Sequence, residues 1–354
     1  PPGWTGWASL AKQFEKAKKA QAKGDLEPMQ VFYNTRLAKV WDSAQEQTSA
    51  DVLRDRARLE NYGLGSMPDG VLMLTASVDT QANRLELMVM GWGAGMERWV
   101  VDFQVITGDP ADERTWAALD ELLKARYRHP CGAELMIMAT AVDSGGNHTD
   151  EVYQFCRMRR WRSVFAIKGA SKRGRPVIAQ RPSMVDVTWK GLTERHGAEL
   201  WIVGTDTAKD WIYNRYVFDT GPGALHFAND LPDDFFAQCV AERKVTRYVR
   251  GHKRIEWTKG KSERNEALDL LVYNLAMAHY LGINRYQDHD WTRIRQAVNQ
   301  SVSGDSSQPV QSERLSRSVV TPAAPQAPQP AVKSRPPTAP PQRRSSTSGY
   351  LKRR

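Results

Sequence analysis

From residue 71 onward the apolar positions fall into short runs closed by turn residues, the texture of strands more than of long amphipathic helices. Three such runs follow one another, Val71–Asp79, Arg84–Gly93 and Glu97–Ile106, and the connections Thr80–Asn83 and Ala94-Gly95 are short enough to fold each run back on the last. The pattern predicts a three-stranded antiparallel meander. It then predicts a helix over Asp112–Arg126, a buried strand over Leu135–Val142, a helix over Thr149–Arg159 and a strand over Ser163–Lys168. Further on come a strand over Glu199–Gly204, a helix over Thr207–Tyr216, a ribbon of Lys244–Arg250 and Lys253–Trp257 turned at Gly251-His252, and a long helix over Asn265–Leu281. Upstream, Leu10, Phe14 and Ala17, then Met29, Phe32, Leu37 and Val40, recur at helical spacing within Trp4–Trp41 and predict two short helices broken by Gly24 and Pro28. The charged stretch Asp51–Glu60 and the Gly/Pro-rich Gly63–Gly70 read as a linker.

Composition alters the picture mostly at the ends. The 354 residues carry 50 Lys and Arg against 40 Asp and Glu, a formal charge of +10 that suits a polyanionic partner. Residues Ser301–Arg354 hold nine of those basic residues and only two acids, with nine of the 19 prolines and eleven serines, too few apolar positions to bury a core. The remaining 300 residues, with 41 basic and 38 acidic side chains, have a net charge of only +3. The expected division is a helical connector and linker over 1–70, a mixed-sheet domain over 71–285, and a mostly disordered basic Pro/Ser-rich tail over 286–354. Cys131, Cys156 and Cys239 form neither a disulfide framework nor a metal-binding pair, which suits a reducing compartment. No run approaches the ~18 apolar residues of a membrane span. The start at Pro-Pro-Gly-Trp, without an initiator Met, predicts a fragment or processed product.

The chemistry is concentrated in three acids. Asp79 closes the apolar run Val71–Val78, and Asp143 closes Leu135–Val142 just before Ser144-Gly145-Gly146, a sequence that lets the backbone turn tightly beside it. Asp269 lies inside Ala267–Ala276, where nearly every neighbour is apolar. An isolated buried carboxylate is costly and normally has a cation, a set of hydrogen bonds or a metal. Three converging acids would make an oxygen-only site for Mg²⁺ or Mn²⁺. Two such ions roughly 3.5–4 Å apart can hydrolyse a phosphodiester. An Asp at a strand end can equally be a turn-former, and one in a helix can face water. The element order β-β-β-α-β-α-β is the one used by ribonuclease-H-like nucleases, an α/β fold in which an antiparallel three-stranded meander plus parallel strands forms a mixed sheet flanked by helices, although other α+β domains begin the same way.

The sequence resembles the large terminase subunit of lambda-type tailed phages, specifically its C-terminal nuclease portion. The resemblance rests on Leu74-Thr-Ala-Ser-Val-Asp-Thr-Gln81 followed by Asn83-Arg-Leu-Glu-Leu87 and Gly91-Trp-Gly93; Asp143-Ser-Gly-Gly146; Ile167-Lys-Gly-Ala-Ser171; Gly204-Thr-Asp-Thr-Ala-Lys209 with Tyr213-Asn-Arg215; His226-Phe227; and Arg264-Asn-Glu-Ala-Leu-Asp269. These occur in the family's order across Thr75 to Leu281, and Trp4–Trp41 resembles the segment that precedes the nuclease. The resemblance implies a ribonuclease-H-like, metal-dependent endonuclease that cuts concatemeric double-stranded viral DNA in the cytoplasm of a bacterial host. It implies two Mg²⁺ or Mn²⁺ ions held by Asp79, Asp143 and Asp269, and partners in an ATPase motor, a small terminase subunit and the portal protein. Lys168, Lys209 and Arg264 fall in matching basic motifs and imply contacts with phosphate. Glu266, one helical turn before Asp269, would be an accessory acid, or would pair with Arg264 or Lys261 at the surface. Asp206 matches a motif and could also cap the helix that starts near Thr207.

Large terminase subunits also carry an ATPase whose phosphate loop reads G-x-x-x-x-G-K-[ST]. The nearest stretch, Gly169-Ala-Ser-Lys-Arg-Gly174, continues Arg175-Pro176, and proline removes an amide donor. ATP hydrolysis is therefore not expected of this chain, and the motor is expected to lie upstream of Pro1. The seven histidines show no zinc pattern, and His148 is read as a loop residue that could approach Asp143. The ribbon Arg243–Arg254 alternates basic and apolar residues, as a DNA-facing strand pair or a charged sheet edge would. Trp92, Trp99, Trp189, Trp201 and Trp257, within strand-like runs, are expected to pack in the core. Two rival readings remain from the residues alone: a junction resolvase or integrase-like enzyme of the same fold, and a non-catalytic module that docks on DNA or the portal.

Overall fold

Every residue of strand β1 (Met73–Thr80) is buried, which only a central strand covered on both faces allows. In the computed structural model, which describes residues 6–22, 27–37, 48–249 and 252–303, β1 pairs antiparallel with β2 (Arg84–Trp92), and β2 pairs antiparallel with β3 (Arg98–Thr107). This is the meander that the alternating runs predict. The chain then passes through α4 (Glu113–Leu122), numbered after three helices near the N-terminus, and the short β4 (Arg126–Arg128) to β5 (Glu134–Asp143). Strand β5 lies parallel to β1 on the side away from β2. Helix α5 (Thr149–Met158) leads to β6 (Val164–Gly169), parallel to β5. Beyond β6 the sheet is extended by β7 (Ser183–Trp189) and β8 (Leu192–Val203), and α6 (Thr205–Tyr213) leads to β9 (Leu225–Phe227), which caps the opposite edge beside β3. With β4 paired to β5, the result is a nine-stranded mixed sheet flanked by helices, as in ribonuclease-H-like nucleases.

Helix α8 (Glu266–Leu281) follows α7 (Asp233–Cys239) and the ribbon of β10 (Arg243–Val249) and β11 (His252–Thr258), and lies across β1, β2 and β5. Its position is fixed by a buried polar network as well as by apolar packing. Thr75 and Ser77 sit at alternate positions of β1 and so point to one face of the sheet. Asn274 of α8 accepts from the Thr75 hydroxyl at 2.7 Å and donates to Ser77 Oγ at 2.6 Å, and the Ser77 hydroxyl donates to the Leu270 carbonyl at 2.8 Å. Trp92 Nε1 completes the set by donating to Thr75 Oγ1 at 2.8 Å. Asn274, Thr75 and Ser77 are fully buried, so leaving any of these groups unpaired would cost about 1–3 kcal/mol. The network therefore selects one register of α8 over the strand, which apolar contact alone would not do.

Several expectations change at the edges of the domain. The stretch read as a linker contains α3 (Ala50–Arg58): Ser49 caps it by accepting from the Val52 N–H, and Leu53 and Ala57, one turn apart, are buried. Its Arg56 donates to the carbonyls of Phe218 and Leu225, which ties α3 to the approach of β9. The expected tail begins with a helix, α9 (Asp288–Ser303), whose Trp291 and Val298 are buried and whose Arg295 bonds Asp69 Oδ2 at 2.9 Å. Strand β8 starts seven residues earlier than expected because it forms a hairpin with β7 across Lys190-Gly191, where both residues take positive φ. Helices α1 (Trp7–Ala22) and α2 (Glu27–Arg36) form where predicted and share a small cluster of Ala17, Met29 and Phe32. Trp4, Val40, Trp41 and residues 304–354 lie outside the described residues, as do the side chains of Arg247, Lys253 and Arg254 in the ribbon. Trp92, Trp99 and Trp201 are in the core, whereas Trp189 and Trp257 are half-buried.

His226 joins this edge of the sheet to the segment after α3. Its Nδ1 lies 2.6 Å from Glu60 Oε1 and its Nε2 2.9 Å from Glu97 Oε1, with the ring stacked on Trp99 at 5.1 Å. Burial alone would lower its pKa, but the two carboxylates outweigh burial and push it up to about 9. Because the folded value lies above the unfolded one, this contribution to stability is complete below pH ~6.5 and is lost as pH rises through about 9. His226→Gln is expected to be less stable than the parent by roughly 2 kcal/mol at pH 6, and chemical denaturation at pH 6, 7.5 and 9.5 should show the gap closing.

Candidate active site

Asp79 and Asp143 come together through strand register. Val78 pairs with Val142 in the parallel β1–β5 ladder, so the next residue on each strand emerges at the same end of the sheet. The turn after β5 can stay close because Gly145 has no side chain: its N–H donates to Asp143 Oδ1 at 3.1 Å, and a Cβ there would lie 3.3 Å from both carboxylate oxygens. Ser144 anchors the same turn by donating its hydroxyl to the Ile167 carbonyl of β6. Asp269, in the first turn of α8, is brought over these strand ends by the Asn274 network one to two turns further along the helix. Tyr273, on the intervening turn, hydrogen-bonds to Asp143 and interacts electrostatically with all three carboxylates.

The three acids are poorly neutralised. Burial pushes Asp79 up to about 7, with the charges of Asp143 and Asp269 adding to it and a hydrogen bond from Gln81 opposing it. Burial also pushes Asp143 up to about 6, and Asp269 is raised by burial despite the Lys209 ammonium beside it. That ammonium lies 3.3 Å from Asp269 Oδ1 and 2.5 Å from Oε1 of Glu242, a fourth acid with only 6% of its surface exposed. Among the described residues no three His, Cys, Asp or Glu side chains are already drawn around one point as metal ligands. Each carboxylate is instead held by its own protein donor, Gln81 for Asp79, Gly145 for Asp143, and Asn265 with Lys209 for Asp269. Three adjacent aspartates whose affinity for protons is raised, with a single ammonium beside one of them, form a donor set suited to a hard divalent cation.

The basic residues separate into different roles. Lys168 is exposed at the end of β6, one residue past the Asp143–Ile167 pair, with no ion pair among the described residues. Lys209 is buried and already holds two carboxylates, so its position is that of an internal counter-ion. Arg264 is shared among Glu86 at 2.8 Å, Glu266 at 3.2 Å and Asp234 at 3.4 Å. Glu266 is thereby turned toward Arg264 and Arg84, the first of which is a partner the sequence offered for it. Asp206 is no cap, because α6 starts earlier than expected and places it in the first turn; it accepts from the Gly174 N–H and from Arg173. His148 occupies the residue before α5 and makes no capping bond.

With this geometry in view, comparison with known proteins is direct. A family model described as the terminase large subunit gpA endonuclease domain matches residues 3–291. The chain belongs to this family. The large terminase subunit of Escherichia phage lambda is 37% identical over 294 residues, and that of Enterobacteria phage P21 is 35% identical over 294 residues. Each alignment covers 80% of this chain and 43% of the relative, so the chain spans less than half the length of these terminase subunits. No solved structure gives a significant match.

Four residues of this terminase endonuclease domain were not anticipated: Gln81, Glu242, Tyr273 and Asn274. Thr75, Ser77 and Asp79 alternate as polar positions in an otherwise apolar strand, and Asn274 is the one amide in an apolar helix; together these were a legible sign of strand–helix docking. Glu242 lies in a loop between α7 and β10, and nothing nearby in sequence marks it. Because burial holds the folded pKa of Asp79 above its unfolded value, the stabilisation is present at low pH and is gone once pH passes about 7. Asp79→Asn, which mimics the protonated form, is expected to make the metal-free protein more stable at pH 8 by roughly 1–3 kcal/mol and to weaken its thermal response to Mn²⁺. Melting curves with EDTA or Mn²⁺ check this, and a less stable variant would mark Asp79 as a structural anchor.

Proposed function

We propose that this chain is the metal-dependent endonuclease portion of a viral DNA-packaging large terminase subunit, and that it hydrolyses phosphodiester bonds of concatemeric double-stranded DNA. The observation that carries the reading is the meeting of Asp79, Asp143 and Asp269 at one end of the sheet, within a chain whose family is that of a terminase endonuclease domain. Asp79, Asp143 and Asp269 would hold the metal. Two divalent ions, Mg²⁺ or Mn²⁺, would supply charge neutralisation and Lewis acidity to the reacting phosphate. Gly145 and Tyr273 orient the Asp143 carboxylate, Asn265 and Lys209 orient that of Asp269, and Gln81 orients that of Asp79. Lys168, exposed near the end of the neighbouring strand β6, would engage a backbone phosphate, a contact that positions DNA without reading its sequence.

Residues 71–285 would be the nuclease, 1–70 the connection from an ATPase motor, and the basic C-terminal segment a contact with DNA or portal. Among the described residues nothing resembles a base-reading helix, so the cut position would be set by partners: the motor, the small terminase subunit and the portal, acting in the host cytoplasm. No helix among the described residues is long and apolar enough to cross a membrane.

Incubating supercoiled plasmid with the protein in Mg²⁺, Mn²⁺ or EDTA tests the reading. Nicked and linear DNA should appear only with metal, and Asp79→Ala, Asp143→Ala and Asp269→Ala should each lower the rate at least ~100-fold. Lys168→Ala should reduce cutting about tenfold and flatten its dependence on salt. Cutting by the Asp79→Ala protein at the parental rate, or none with any metal, would overturn the proposal. DNA retention that survives the Asp substitutions without cleavage in the parent would favour a docking module.

A further inference from the structure

Glu242 belongs to none of the motifs by which the site is recognised, yet it is as deeply placed as the acids that are. Its Oε1 accepts from Lys209 Nζ at 2.5 Å and from Asn265 Nδ2 at 2.8 Å, and that same Asn265 amide donates to Asp269 Oδ2 at 2.9 Å. Lys209 Nζ in turn lies 3.3 Å from Asp269 Oδ1. Two carboxylates from different segments thus face each other across one ammonium and one amide. Lys259 secures the amide by donating to Asn265 Oδ1 at 2.5 Å, and the Tyr213 hydroxyl secures the loop by donating to the Glu242 carbonyl at 2.6 Å.

We propose that Glu242 is a positioning residue of the metal site: it shares the Lys209 ammonium with Asp269 and thereby keeps that lysine from saturating Asp269 and competing with the incoming divalent cation. This inference rests on the metal-binding reading given above. An ammonium beside a metal ligand has two opposed effects. It holds the carboxylate in place while no metal is present, and it repels the metal and occupies one of its oxygens once metal arrives. A second carboxylate on the far side of the ammonium moderates both effects. Without Glu242, Lys209 has Asp269 as its one close acidic partner, and metal must displace a full ion pair. Without Lys209, Asp269 is released to the metal while Glu242 adds negative charge nearby. The two single substitutions should therefore move metal affinity in opposite directions, which a merely structural ion pair would not do.

The test is a Mn²⁺ titration of the whole 354-residue protein followed by electron paramagnetic resonance of free Mn²⁺. Glu242→Gln is expected to bind Mn²⁺ about tenfold more weakly than the parent, Lys209→Met about tenfold more tightly, and the double variant within about threefold of the parent. Glu242→Asp should recover at least half of the loss on a logarithmic scale. Because Lys209→Met leaves a buried carboxylate without its partner and can fail to fold, Lys209→Gln, which keeps a donor, provides the same comparison. Equal affinities for parent and Glu242→Gln, or shifts of the same sign in the Glu242 and Lys209 variants, would overturn the proposal while leaving the metal-site reading standing. Mn²⁺ binding by the parent that Asp79→Asn does not weaken would overturn both.

Discussion

A buried asparagine inside an apolar helix must find partners for its carbonyl and its amide, and Asn274 finds them on the strand beneath it. The Thr75 hydroxyl, Ser77 Oγ and the Met88 carbonyl supply them from β1 and β2, and Ser77 passes the connection back to the Leu270 carbonyl. Sliding α8 by one residue would leave several of these groups unpaired in a dry interior, whereas the apolar contacts around them would be largely replaced by similar ones. The network therefore sets where the start of α8 falls. That in turn sets where Asp269 stands relative to the two strand-end aspartates, which the β1–β5 register has already aligned. None of the network residues bears a charge or reaches the site, yet the geometry of the carboxylates follows from them.

The site assembled in this way is electrostatically unfinished. Asp269 and Glu242 share one lysine, Asp79 and Asp143 have no cationic partner among the described residues, and the three aspartates are all raised in pKa. The remaining donors around them are neutral: an amide from Gln81, another from Asn265, a backbone N–H from Gly145 and the Tyr273 hydroxyl. A nearby cluster provides the contrast. Glu86, almost wholly buried and paired across the ladder with Asp79, is met by two arginines, Arg84 and Arg264, and Glu266 joins them. Acids on neighbouring elements thus stand in different surroundings: Glu86 and Glu266 are paired with arginines, whereas Asp79, Asp143 and Asp269, proposed above to hold the metal, have one lysine among them.

Much of the fold was legible because its signals were local. Alternating runs with short turns identified the meander, and Asp79, Asp143 and Asp269 stood out by interrupting apolar runs. What the sequence hid depended on contacts distant along the chain. Glu266 and Arg264 lie within five residues of Asp269, but their pairing with Arg84 and Glu86 is visible only once α8 is seated on β2. The basic residue Lys209 looked like a phosphate contact, whereas the Glu242 loop, 33 residues later, encloses it. Asp51–Glu60 looked like a linker because its charges outnumber its apolar side chains; two buried positions a turn apart, Leu53 and Ala57, were enough to dock a capped helix. The hairpin of β7 and the first half of β8 was missed because Leu192–His196 are exposed and mostly polar, and the alternation of Val185, Val187 and Trp189 in β7 is too short to stand out.

The measurement that bears most directly on this account is the anomalous scattering of manganese in crystals of the protein soaked in Mn²⁺. If the docking of α8 on β1 builds a metal centre, the strongest anomalous peak will lie between the carboxylates of Asp79, Asp143 and Asp269. It will disappear in crystals of Asp79→Asn soaked in the same way. A strongest peak elsewhere in the molecule, or none at the three aspartates at millimolar Mn²⁺, would contradict it.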